Sequence, residues 1–298
     1  MDKEIKNGII LKGVGGFYTV LSEGMDYVCK ARGLFRKQHI IPTVGDRVEF
    51  SLNADGKTGY LLNLCERRNE LVRPAVANID KLFIVIAASK PVADLLLVDK
   101  LLICCERLSI EPVIIINKCD MASVDEINAI LDEYRLTDYK LYCVSAASGT
   151  GIAELRGELD SSIVCFAGQS AVGKSSLLNA LIPGMQLEVG ALSRKTERGR
   201  HTTRHAELIP VVSGGAVLDT PGFSLLDGID CEPEVIKNFY PELRRHAFEC
   251  RFSGCLHITE PGCVVKTELL GKEFNEERYK RYVRLVNDAI ENKKHKYE

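Results

Sequence analysis

The spacing of apolar and polar positions changes character twice along the chain. Residues 1 to about 69 alternate over short runs, at 8–12, 17–21, 27–31, 46–52 and 60–65, broken by Gly15-Gly16, Gly24, Gly45 and Asp55-Gly56. Alternation between glycine turns predicts half-buried strands, and five of them without a clear helix suit a small Greek-key barrel. From residue 81 onward, continuous apolar runs at 81–87, 112–116, 141–144, 162–167 and 215–218 predict strands buried on both faces. Apolar residues at helical spacing fill 95–108 and 123–135 between them, which predicts an α/β domain built on a parallel sheet. Near the C-terminus, 276–291 predicts a helix with a basic face (Lys280, Arg281, Arg284), and Lys293-Lys294-His295-Lys296 reads as a solvated tail.

Chemistry gathers where the apolar runs end. After the run at 162–167 comes Gly168-Gln169-Ser170-Ala171-Val172-Gly173-Lys174-Ser175, followed by Ser176, a match to the phosphate-binding P-loop. The glycines let backbone N–H groups turn inward, and a helix starting near Lys174 adds its positive end. Lys174 would span the β- and γ-phosphates and Ser175 would bind Mg²⁺. Asp219-Thr220-Pro221-Gly222 also follows a strand. Asp219 would hold Mg²⁺ through a water, and the Gly222 amide would reach the γ-phosphate. Between the two lies a basic segment, 194–205, in which Thr203, favoured over Thr202, would complete the Mg²⁺ shell.

Asn117-Lys118-Cys119-Asp120 ends the run at 112–116. The Asp120 carboxylate can accept from guanine N1–H and the exocyclic amine together, a pair that adenine does not offer. Asn117 would tie loops together, the Lys118 stem would cover the purine face, and Ser145-Ala146 would offer a backbone amide to guanine O6. In an ordinary GTPase the base-reading motif follows the P-loop. Here it precedes it, so the chain resembles a circularly permuted GTPase, with the usual ends joined near 151–160.

Composition narrows the field. The chain has 298 residues, 27% charged and 46% hydrophobic, with net charge −2, which suits two or three globular domains and argues against a generally basic RNA-coating protein. Eleven cysteines would suggest disulfides in a secreted protein, but the first residues hold no signal-peptide stretch and no run reaches the ~18 apolar residues of a membrane helix. A cytoplasmic protein with reduced thiols is expected. Cys250, Cys255, His257 and Cys263 offer three thiolates and one imidazole in a short loop, the ligand set of one structural Zn²⁺. On the barrel, Lys30, Arg32, Arg36, Lys37 and Arg47 line a side suited to nucleic acid, with Phe35 as a stacking ring or as a core residue.

The permuted order of GQSAVGKSS, GRHTTRH, DTPGF and NKCD with a Cys/His cluster resembles the ribosome small-subunit-dependent GTPase family, RsgA (YjeQ/YloQ). The resemblance implies a multidomain chain: an N-terminal all-β OB-fold barrel that binds RNA (1–69), a central α/β circularly permuted P-loop GTPase domain (70–227), and a C-terminal, mainly helical zinc-binding domain (228–298). It implies a protein that binds the small (30S) ribosomal subunit and its rRNA and couples GTP hydrolysis to late maturation of that subunit; Mg²⁺ with GTP and a monomeric state are expected alongside.

Phe223 stands where many GTPases place a water-orienting Gln, and an apolar ring cannot polarise water. Slow intrinsic turnover follows, with His201 the first candidate for the missing catalytic group and Arg200 the second. Because the chain continues directly from the loop after Asp219, ordered switch segments are expected to set the angle of the C-terminal region.

Overall fold

The computed structural model describes residues 4–37, 39–72, 74–182, 184, 206–219, 231–246 and 248–296, without the side chains of Arg36, Asp219, His295 and Lys296. The alternating N-terminal runs become β1 (Ile5–Val14), β2 (Phe17–Ser22), β3 (Met25–Ala31), β4 (Arg47–Leu52) and β5 (Thr58–Leu64), with a short helix α1 (Gly33–Lys37) after β3. Pairing of β1 with both β2 and β4 closes the ring β1-β2-β3-β5-β4. Ile10, Val20, Cys29, Phe50 and Leu61 fill it. Helix α1 was not expected, since five residues carry no readable period. It decides between the two readings of Phe35 in favour of the core: that side chain is 5% exposed and packs in the barrel core.

A hairpin, β6 (Glu70–Val72) and β7 (Ala75–Ala77), links the barrel to the central sheet. The central elements then run β8 (Lys81–Ala87), α2 (Leu95–Leu108), β9 (Glu111–Asn117), α3 (Val124–Tyr134), β10 (Lys140–Cys143), α4 (Ile152–Gly157), β11 (Ile163–Ala167), α5 (Lys174–Leu181), β12 (Glu207–Pro210) and β13 (Ala216–Asp219). Their order in the sheet is β10-β9-β8-β11-β13-β12, parallel except for β12. Apolar residues on both faces explain the unbroken runs: Ile84, Ile86, Ile114 and Ile116 pack into one core, and Phe83, Val85, Val113 and Ile115 into the other. Strand β11, which leads into the P-loop, lies beside β8, the first strand of this domain, so the loop sits near the centre of the sheet rather than at its start.

Helix ends are set locally. Asp94 caps α2 by accepting from Leu97 N at 3.0 Å, and Ser109 closes it in the left-handed region. Ser123 and Glu126 form a reciprocal capping box on α3.

The C-terminal region comprises α6 (Pro233–Ile236), α7 (Pro241–Arg244) and α8 (Glu276–Lys296), packed around Tyr240, Phe274, Tyr282 and Leu285. Helix α8 runs through the segment expected to be a free tail, and Lys293 pairs with Glu232 and Glu234. The expected basic face is also revised. Arg281 bonds Asp99 and Glu133, and neighbouring Arg278 is 1% exposed.

Those arginines dock the region on the central domain. Arg278 Nη1 bonds Asp99 of α2, and its Nε donates to Glu242 Oε1 of α7 at 2.7 Å. The Arg278 guanidinium also lies 4.6 Å from the Tyr240 ring centre. Arg281 Nη1 donates to Glu133 Oε2 of α3 at 2.9 Å. Removing one partner from such a buried cluster leaves charge without compensation, at a cost of about 3–5 kcal/mol. Arg278→Leu is therefore expected to lower unfolding stability by about that amount in urea titrations. A loss below about 1 kcal/mol, the range of exposed pairs, would show that the cluster does not hold the interface.

Candidate functional site

The P-loop connects β11 to α5, and its shape requires small residues at two points. Gly168 has φ +137°, and a Cβ there would lie 2.0 Å from Val85 O; at Gly173, with φ +95°, a Cβ would lie 2.5 Å from Asn117 Nδ2. Ala171 also sits in the left-handed region, φ +64°, where an alanine is strained by about 1–2 kcal/mol. The loop ends at the α5 N-terminus, where free backbone N–H groups and the helix dipole favour an anion. Ser175 is buried there, 6% exposed. Lys174 Nζ folds back onto Gly168 O at 2.8 Å and Gln169 O at 2.6 Å, and burial pulls its ammonium down to about 8. A phosphate at this position would reverse that shift by supplying negative charge.

Asn117 ends β9 and is 1% exposed. Its Nδ2 donates to Val172 O of the P-loop at 2.9 Å, and its Oδ1 accepts from Ala146 N at 3.1 Å. One side chain thus joins the phosphate-type loop to both base-type loops. Lys118 adds a second tie, since its Nζ donates to Ala171 O at 2.7 Å and to Lys90 O at 2.8 Å. Asp120 is exposed beside them, in the turn that follows β9. Ser145 is buried and its Oγ accepts from Ser148 N at 3.1 Å, which shapes the loop around Ala146. A further link was missed in the sequence: Gln169 Oε1 accepts from Asp94 N at 2.8 Å, tying the P-loop to the start of α2. A lone Gln inside a Gly-rich loop carries no signal of its partner.

The structure therefore brings together Asn117, Lys118, Asp120, Ser145, Ala146 and the loop from Gly168 to Ser176. Arg200, His201, Thr202, Thr203, Gly222 and Phe223 lie outside the described residues, as does the side chain of Asp219. The backbone of Asp219 closes β13, in register with Glu207.

A second site lies in the C-terminal region. The ligand atoms of Cys250, Cys255, His257 and Cys263 all fall within 4.8 Å of one another, a group that could hold a metal ion. His257 Nδ1 is 3.5 Å from both Cys250 Sγ and Cys263 Sγ. Burial pushes the Cys255 thiol up to about 12 and lowers His257. Helix α8 braces the loop from behind: Tyr279 OH donates to His257 O at 2.8 Å and Tyr282 OH to Leu256 O at 2.7 Å.

On the barrel, the register Phe17↔Lys30↔Tyr60 sets an aromatic, a cation and an aromatic side by side on the outer face of β2, β3 and β5. Phe17 is 48% and Tyr60 37% exposed, and Lys30 Nζ lies 4.7 Å over the Phe17 ring. The sequence reading named Lys30 but neither ring, because cross-strand neighbours appear only once the register is known. Among the described residues no helix is long and apolar enough to cross a membrane.

Comparison with known proteins agrees with this geometry. A model of the RsgA GTPase family matches residues 64–228, and a model of the RsgA N-terminal domain matches residues 7–61. The small ribosomal subunit biogenesis GTPase RsgA of Caldanaerobacter subterraneus subsp. tengcongensis is 43% identical over 290 residues, covering 97% of this chain and 98% of that protein. The protein of the same name from Halalkalibacterium halodurans is 44% identical over 286 residues, covering 95% and 96%. The crystal structure of YjeQ from Thermotoga maritima matches with a TM-score of 0.84 at 36% identity, covering 96% of this chain and 99% of that one. That of YloQ, described as a circularly permuted GTPase, matches at 0.82 and 37%, covering 97% and 96%. On this sequence, this strand order and these relatives, the chain belongs to the RsgA GTPase family.

Proposed function

We propose that the chain hydrolyses GTP while bound to the small ribosomal subunit and its rRNA, coupling hydrolysis to late maturation of that subunit and to its own release. The observation that carries this reading is the pair of hydrogen bonds made by the Asn117 side chain, which holds a phosphate-type loop and two base-type loops around one space. In it, the backbone of Gly168 to Ser176 cradles the phosphates and Lys174 leaves its two carbonyls for the β- and γ-oxygens. Asp120 accepts from guanine N1–H and the exocyclic amine, Ala146 N faces O6, and the Lys118 stem covers the ring. Ser175, Asp219 through a water, and Thr203 would hold Mg²⁺, which neutralises developing phosphate charge. Gly222 would sense the γ-phosphate. His201, and after it Arg200, are the proposed catalytic groups.

The C-terminal cluster is proposed to hold one structural Zn²⁺. A tetrahedral centre with arms of about 2.3 Å to sulfur and about 2.05 Å to nitrogen has a sulfur–nitrogen edge of about 3.5 Å. The two edges from His257 Nδ1 are 3.5 Å. Three thiols and one imidazole make a closed set with no position left for a substrate. The domains are proposed at 1–69, 70–227 and 228–298, and the chain is proposed to act as a cytoplasmic monomer. On the barrel, Phe17, Lys30 and Tyr60 form the proposed RNA-stacking row.

The buried Asp99 cluster modifies the mechanism. Since it fastens α8 to α2, and α2 begins where Asp94 meets the P-loop, the C-terminal region is proposed to stay seated on the central sheet through the nucleotide cycle. Release after hydrolysis then needs different affinity of the GTP and GDP forms for the subunit, with switch contacts to rRNA as the changing element.

Two measurements test these readings. GTP hydrolysis with purified small subunits, large subunits or neither should accelerate only with the first, and equal stimulation by large subunits would refute the partner. Protein purified without chelator should carry one equivalent of zinc, and stripping it should expose the 231–296 segment to protease, because so small a core leans on its metal. Well under one equivalent would refute the zinc site.

A further inference from the structure

Cys119 and Cys143 are two cysteines that the nucleotide chemistry above leaves unused, and they sit in the two base-type loops. Cys119 follows Lys118 in the Asn117–Asp120 motif, and Cys143 ends β10, two residues before Ser145. The backbone fixes them as neighbours. Cys143 is the register partner of Ile116, Val144 N donates to Ile116 O at 2.8 Å, and Cys119 N donates to Val144 O at 3.1 Å. The Cys119 thiol donates to Ile116 O at 3.1 Å, the same carbonyl that Val144 N bonds, so its sulfur lies beside the strand end that carries Cys143. Both are half-buried and free, so a small oxidant can reach them, whereas Cys105 and Cys165 are sealed in the sheet core.

We propose that Cys119 and Cys143 are a disulfide modification site, oxidised by a low-molecular-weight disulfide, that shuts the guanine pocket. The inference rests on the guanine-site reading. Cys119 keeps its proton on Ile116 O and is pushed up, while its neighbour Cys143 has no such carbonyl contact among the described residues and is brought down to about 7, so Cys143 is the attacking sulfur. Its thiolate attacks one sulfur of the oxidant and expels a thiolate, leaving a mixed disulfide on Cys143. Cys119 then loses its proton, attacks the Cys143 sulfur and expels the second thiolate. The oxidant leaves as two thiols, which carry off the two protons lost by the cysteines.

The bond changes geometry in one direction. Two sulfurs that are not bonded stand at van der Waals separation or more, and a disulfide holds them at about 2.05 Å, so one residue must move. Cys143 is pinned in the β9–β10 ladder, whereas Cys119 opens a single turn, 119–121. Closing the bond draws Cys119 toward β10, removes its donation to Ile116 O, and carries the adjoining Asp120 with it. A shift of about 1 Å or more takes its carboxylate out of range of the two guanine donors.

The test uses zinc-loaded full-length protein treated with oxidised glutathione under nitrogen. Peptide mass spectrometry reads the bond between the 119 and 143 peptides, and fluorescence titration reads GDP affinity. The expected result is that cross-linked peptide and a GDP dissociation constant raised about tenfold or more, the loss of one charge-assisted bond. Dithiothreitol should restore affinity. Cys143→Ala should bind GDP like the reduced wild type before and after treatment, with zinc retained in both. Absence of the 119–143 peptide overturns the proposal, and so does a cross-link that leaves affinity unchanged. Reduced protein that binds no GDP overturns the guanine-site reading and with it the regulatory half, while the peptide mass still decides the bond.

Discussion

The side-chain amide of Asn117 is buried at the end of β9, and both of its ends are used across loops that are far apart in sequence. A buried amide that lost either partner would carry an unsatisfied polar atom, costing roughly 1–3 kcal/mol. The pair of bonds therefore selects one arrangement, in which Val172 and Ala146 approach the same residue. Gly173 belongs to that constraint, because any Cβ there would displace the amide. The phosphate-type and base-type loops are thus set against each other by contacts within the protein itself.

From this centre, contacts extend outward along α2. Gln169 meets its first turn, and Asp99 in its middle receives Arg278 and Arg281 from α8. The barrel is attached on the opposite flank of the sheet, through the pairing of Lys12 in β1 with Glu207 in β12. Strand β12 leads into β13, which ends at Asp219. The two flanking regions are therefore attached at different parts of the central domain: the C-terminal region at α2, beside the P-loop, and the barrel at β12, the strand paired with β13.

Much of this was legible in the sequence because the signals were local. Strand β8 and helix α2 fall where the apolar runs place them, and the Cys/His cluster that could hold a metal is compressed into fourteen consecutive residues, 250–263, so it is visible in the spacing. What stayed hidden depends on partners distant along the chain. Asp99 interrupts the apolar series Leu95-Leu96-Leu97-Val98, and an acid in such a stripe is a sign of a buried charge, but nothing in the sequence names Arg278 as its partner. Phe17 and Tyr60 become neighbours through Lys30 only by strand register. Phe35 was ambiguous because a ring beside basic residues fits a stacking platform and a barrel core equally well, and α1 turns it inward.

The central claim is that Asp120 reads the base of a nucleotide whose phosphates lie on the P-loop. Xanthine carries a carbonyl oxygen where guanine carries its exocyclic amine, so an amide side chain, with one acceptor and one donor, complements xanthine as a carboxylate complements guanine. Titration of Asp120→Asn with guanosine and xanthosine diphosphates measures this directly. The account predicts weakened binding of the guanosine form and a switch of preference to the xanthosine form, with the wild type preferring guanosine. Unchanged preference in the variant would contradict it.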